Sequence, residues 1–139
     1  MAKYNITEKK KRNATYCSLV SPELMDELEV KISDIVVKKK KYKDKNYTAR
    51  RLAMDLGTNT RYVSAVVNVR FGMNYTSFIN KYRIQEALAI LSSKQQVRLR
   101  MEDVSDMVGF ANRQSFYAAF YRFVGITPRE YKAQNPPKQ

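Results

Sequence analysis

The chain has 139 residues, and 26 Lys and Arg against 13 Asp and Glu leave it with a net charge of +13. That surplus favours a polyanionic partner, either nucleic acid or an anionic membrane surface. Cys17 is the single cysteine and histidine is absent, which excludes an intrachain disulfide and a Cys/His metal cluster and removes the usual general base near neutral pH.

No apolar run approaches the roughly 18 residues that cross a bilayer, and no apolar signal core opens the chain. A cytoplasmic, non-enzymatic protein without metal or cofactor is therefore expected. Residues 1–20 carry Lys9, Lys10, Lys11 and Arg12 with little apolar periodicity. They read as a basic flexible arm, either a solubilising tail or a non-specific phosphate contact, and too short for a ligand-sensing domain.

The ordered part is expected over 21–139. Ser21-Pro22 is a helix start, with Ser as cap and Pro in the first turn. Leu24, Leu28, Ile32, Ile35 and Val36 follow as its buried stripe. Lys38 to Lys41 suit the negative end of that helix, and the run to Lys45 is either a solvated helix end or a phosphate contact. Thr48 caps a short helix with Leu52, Ala53 and Leu56, which Gly57 ends. Asn59 caps the next helix, whose stripe is Val63, Val66, Val67 and Phe71, and Gly72 ends that one. Asn74 caps a long helix to about Ser92, buried through Phe78, Ile79, Tyr82, Ala87, Leu88 and Leu91. Residues 93–99 form a basic connector. Met101, Val104 and Val108 bury a further short helix before Gly109.

The segment VSDMVGFANRQSFYAAFYRFVGITPREY, from Val104 to Tyr131, has the clearest punctuation. Gly109 supplies a left-handed turn. Asn112 caps a helix whose buried face holds Phe116, Ala119, Phe120 and Phe123, and which Gly125 ends. Thr127 then caps the last helix with Pro128 at its first position. Two helices joined by a tight turn make a helix-turn-helix, whose second helix can lie in the major groove of DNA.

A shift of 53 residues lays Val63 on Phe116, Val67 on Phe120, Gly72 on Gly125 and Asn74 on Thr127. The turn glycines Gly57 and Gly109 differ by 52, so the second copy has one extra turn residue. Two copies are too few for a solenoid. The expected architecture is all-α: about seven helices in two homeodomain-like helix-turn-helix lobes, at about 21–73 and 100–135, joined by a long linker helix at about 74–92.

The pattern GF-x-N-x-x-x-F-x-x-x-F-x-x-x-x-G-I-T-P-x-x-Y resembles the C-terminal signature of the AraC/XylS family of bacterial transcription regulators. The first half resembles it through LAMDLGTNTRYVS and the linker helix through FINKYRIQEALAIL, so the likeness covers roughly Pro22 to Tyr131. It implies two helix-turn-helix units that insert their recognition helices into successive major-groove segments. Within these 139 residues no counterpart of the family's common separate N-terminal ligand-binding or dimerisation domain, and no small-molecule pocket domain, is expected.

Base readers must project away from the buried stripes. In the first copy these are Thr60, Arg61, Ser64, Ala65 and Asn68; in the second they are Arg113, Gln114, Tyr117 and Ala118. Arg can bond both acceptors of a guanine edge and Gln can pair with adenine, so Arg61, Arg113 and Gln114 lead. By the resemblance, positions 65 and 118 often carry longer polar or basic side chains; here both are Ala, whose methyl could pack on a thymine methyl. Arg50, Arg51, Lys81, Arg83, Tyr121, Arg122 and Arg129 are the phosphate candidates. Arg83 also matches a characteristic linker-helix Arg of the family, where an internal structural role is the alternative. Tyr4, Tyr16, Tyr42 and Tyr47 have no assignment.

The expected function is sequence-specific binding of double-stranded DNA by a transcription regulator of the bacterial cytoplasm and nucleoid, with RNA polymerase or a regulatory partner as a further contact. Two rivals stand beside it: a non-specific architectural nucleic-acid binder, and a helical module that binds an acidic protein partner.

Overall fold

The computed structural model describes residues 15–94 and 98–136, and no strand occurs among them. The basic cluster Lys9 to Arg12 lies outside the described residues. Of the expected arm, residues 15–19 are helical and Val20 is buried, so its last part belongs to the folded chain.

The chain divides into two compact units. One comprises residues up to Lys39 together with Tyr47–Phe78, and the other comprises Lys40–Asn46 together with Ile79 onward. The first unit holds α1 (Pro22–Ser33), α2 (Ala49–Leu56) and α3 (Thr60–Arg70). Helix α4 (Tyr75–Leu91) begins in the first unit and continues in the second, which also holds α5 (Met101–Val108), α6 (Arg113–Val124) and α7 (Pro128–Gln134).

The caps are those that the sequence calls for. Ser21, Thr48, Asn59, Asn74, Asn112 and Thr127 each accept a hydrogen bond from the amide three residues on. Thr127 and Glu130 complete a reciprocal capping box around Pro128. Each cap satisfies an amide that the first helical turn leaves unpaired.

Helix α1 departs from its expected stripe. Its buried positions are Met25, Leu28 and Ile32, followed by Val36, whereas Leu24 and Ile35 are half-buried at the margins. Through Ser33 the helix is regular, so the exchange of Leu24 for Met25 reflects the face that packs against α2 and α3. Asp34–Lys38 is a wider π turn, closed by the Lys39 amide on the Asp34 carbonyl at 2.9 Å, and it affects only the face beyond Ser33, where Ile35 lies at the margin. The helix then stops, because Lys40 is left-handed at φ 57°, and Lys41–Lys43 form one 3₁₀ turn in the second unit.

In the first unit α1 and α3 are tied by Arg70, which pairs with Asp26 at 2.6 Å and Glu29 at 3.2 Å. The Tyr47 hydroxyl donates to Asp55 at 2.5 Å and that of Tyr75 to the Tyr47 carbonyl at 2.9 Å. Burial, and after it the Asp55 carboxylate, push the Tyr47 hydroxyl well above the usual phenol range.

The core of the second unit gathers Ile84, Ala87, Leu91, Val104, Val108, Phe110, Phe116, Ala119 and Phe120. Phe116 and Phe120 meet edge-on with centroids 5.8 Å apart, and Phe120 meets Tyr131 in the same way at 5.8 Å. Phe123 is 39% exposed, contrary to its expected place in the stripe. It sits three residues after Phe120 on the last turn before Gly125, where Val124 rather than Phe123 packs against the core.

Candidate nucleic-acid interface

Two helix-turn-helix units are present. In the first, α2 ends at Gly57, and Asn59 opens α3 by accepting from the Tyr62 amide at 3.0 Å. In the second, α5 ends at Gly109, and Asn112 opens α6 by accepting from the Ser115 amide at 2.8 Å. The buried residues Val63 and Val67 of α3 correspond to Phe116 and Phe120 of α6, each fully enclosed. The second turn has the extra residue that the offset predicts. Its Ser105 hydroxyl donates to the Asn112 carbonyl at 3.1 Å, which fixes the start of α6 against α5.

On α3, Thr60 and Arg61 are exposed, and Arg61 has no hydrogen bond or ion pair among the described residues. Ser64 and Asn68 are half-buried, and the Asn68 side-chain amide is turned along the helix onto the Ser64 carbonyl at 2.8 Å. Ala65, expected to face DNA, instead has its methyl group fully buried and cannot reach a base. Helix α3 packs against both α1 and α2. A methyl group on a helix so flanked is short enough to be closed over by longer neighbours, which helical periodicity alone does not anticipate.

On α6, Arg113, Gln114, Ala118, Tyr121 and Arg122 are exposed. Arg113 is not a free reader: it pairs with Glu102 at 3.0 Å, and its guanidinium lies 5.8 Å from the centre of the Tyr117 ring. Tyr117 also departs from expectation. It is half-buried against the core, edge-on to Phe116 at 5.9 Å, and its hydroxyl is buried with no hydrogen-bond partner among the described residues.

Among the phosphate candidates, Arg50, Arg51, Tyr121, Arg122 and Arg129 are exposed. Arg51 lies over the Tyr47 ring at 5.6 Å, and the half-buried Lys81 lies over the Tyr82 ring at 5.5 Å. Arg83 is committed inward. Its Nε donates to the Tyr42 carbonyl at 2.6 Å and its Nη2 to the Asp44 carbonyl at 3.1 Å, while the guanidinium rests 5.4 Å from the Phe110 ring centre. Two carbonyls claim the planar donor fork, so the internal role displaces the phosphate role.

The residues that the sequence reading missed are partners rather than readers. Glu102 positions Arg113, and Lys45 pairs with Asp106 of α5. Tyr42 donates to Glu86 at 3.4 Å, and Lys43 pairs with the same carboxylate at 3.2 Å. Burial works to raise the Glu86 carboxyl, but Lys43, Lys40 and Tyr42 together hold it below the usual range. Burial and then Glu86 push the Tyr42 hydroxyl up to about 12. No helical spacing marks these contacts, since each joins two different elements of the chain. Within the second unit, Arg113 and Arg129 line a common cavity.

Two capped helix-turn-helix units with basic, outward-facing second helices define the class: a double helix-turn-helix domain. Residues 52–134 match the family model described as a helix-turn-helix domain, and the chain belongs to that family in its AraC type, a family of DNA-binding transcription regulators. It is 25% identical over 87 residues to the uncharacterised HTH-type transcriptional regulator YtdP of Bacillus subtilis. That match spans 63% of this chain but only 11% of the length of the relative. The fold is that of the C-terminal domain of the response regulator AraT from Geobacillus stearothermophilus, with a TM-score of 0.68 at 19% identity, covering 86% of this chain and 90% of that one. The C-terminal domain of the two-component response regulator yesN from Fusobacterium nucleatum gives a TM-score of 0.66 at 23% identity, covering 75% and 96%. Among the described residues no helix is long and apolar enough to cross a membrane.

Proposed function

We propose that the chain reads duplex DNA as the sequence-specific binding module of a bacterial transcription regulator at the nucleoid, with α3 and α6 in successive major-groove segments about 34 Å apart. The observation that carries the reading is the pair of separately capped recognition helices whose outward residues differ: Thr60 and Arg61 on one, Arg113 and Gln114 on the other. Different readers in the two copies call for a non-palindromic site. Arg50, Arg51, Arg122 and Arg129 fix the register on phosphates, and Arg61, Arg113 and Gln114 read base edges.

One rival has an observation in its favour. Ala65 is enclosed and Ala118 offers only a methyl group, so the base-reading set is short, as in a binder indifferent to sequence. Two substitutions separate the readings. On a cognate site, Arg61→Ala and Arg113→Ala should each cost about 1–3 kcal/mol and relax preference at one base position. Equal losses on cognate and scrambled duplexes would refute base reading and leave the sequence-indifferent binder.

A further inference from the structure

The second unit contains a cavity of about 490 Å³ whose charged walls are Arg100, Glu102, Arg113, Arg129 and Lys132. They converge from the cap and first turn of α5, the first residue of α6, and α7. Four cations against one carboxylate leave the lining at +3. Arg113 is held by Glu102 at 3.0 Å and Arg100 by Asp103 at 3.5 Å, whereas Arg129 has no partner among the described residues. Like charges brought into one concavity repel, and the carboxylates of Glu102 and Asp103 offset only part of that repulsion. An entering anion relieves the rest. Guanidinium forks match pairs of phosphate oxygens, and a lysine ammonium adds a point charge. The apolar side chain of Met101 in the wall lowers the local dielectric and strengthens those contacts.

We propose that this cavity seats one phosphate group, and that its occupant competes with Glu102 for Arg113. Arg113 opens α6, so a filled seat changes how that residue is presented. This consequence, though not the seat itself, rests on reading α6 as a recognition helix. The phosphate belongs either to the DNA backbone or to a small phosphorylated molecule.

The test is an NMR titration of the isotope-labelled chain with inorganic phosphate, without DNA, at constant ionic strength, with chloride as the control anion. Saturable shifts at Arg100, Arg113 and Arg129 are expected. Arg129→Gln, an exposed change that leaves the spectrum dispersed, weakens binding about fivefold, and Glu102→Gln strengthens it. Shifts that never saturate, that chloride reproduces, or that Arg129→Gln leaves untouched would overturn the seat. Repeating the titration on the chain bound to duplex distinguishes the two sources. Loss of the phosphate shifts assigns the seat to the DNA backbone, and their persistence assigns it to a free phosphorylated ligand. The first titration uses no DNA, so failure to bind duplex would refute the regulator reading and leave this one standing.

Discussion

Gly109 meets two constraints, of which Gly57 shares only one. Both are left-handed, at φ 105° and 70°, but a Cβ on Gly109 would lie 2.6 Å from the Tyr42 carbonyl oxygen and 2.7 Å from that of Lys43, whereas one on Gly57 meets nothing within 4 Å. Backbone atoms cannot step aside as a flexible side chain can. Gly57→Ala should therefore cost about 1 kcal/mol, and Gly109→Ala about 3 kcal/mol or more, as measured by denaturant unfolding. Equal costs would mean that the close approach to Tyr42 and Lys43 is not maintained. The glycine turn itself is legible in the sequence, because a stop after an apolar stripe is a local signal. The carbonyls that close over Gly109 come from more than sixty residues earlier, and no local signal reports them. The same limit separates Arg61, whose exposure follows from helical position, from Arg83, whose fork is taken by two carbonyls of a distant loop.

At the scale of elements, the helix boundaries were the most readable part of the chain, because a cap and its amide are three residues apart. Asn112→Ala should cost about 1 kcal/mol and fray the first turn of α6, seen as faster amide exchange at Arg113 to Ser115. Unchanged exchange there would show that α5 packing alone holds the helix start. The centre of each buried face is legible from helical spacing, as in Val63 and Val67, whereas its margins are not: Ala65 is enclosed, Phe123 is exposed, and Ile35 falls in the π turn at Asp34–Lys38. Tyr42 and Tyr47 could not be assigned from sequence because their carboxylate partners belong to other segments. Both hydroxyls are raised, that of Tyr42 to about 12. A group raised in the folded state contributes stability that is full below its unfolded value near 10 and is lost as pH rises through the folded value. The chain should therefore lose stability between about pH 10 and 12, and Tyr42→Phe should flatten that limb. The Glu86 carboxyl is lowered, so its contribution is full above the ordinary carboxylate value and is lost as pH falls through the folded one. An alkaline limb unchanged in Tyr42→Phe would remove Tyr42 from this account.

For the whole molecule, the charge of +13 sets the reach of the interaction and the recognition helices set its selectivity. Binding should weaken steeply as salt rises, because each neutralised phosphate releases counterions. Arg122→Ala should reduce the slope of log K against log salt by about 1 while leaving the preferred sequence unchanged. A changed preference would move Arg122 from the backbone to the base edges. Base reading by both α3 and α6, as proposed above, requires one asymmetric site. Selection of bound sites from random duplex DNA, at about 0.15 M salt with competitor present, decides whether such a site is bound. An enriched two-part motif, non-palindromic, with its halves about one helical turn apart, is expected. Enrichment of no motif, or of a symmetric operator bound only by a dimer, would contradict that reading.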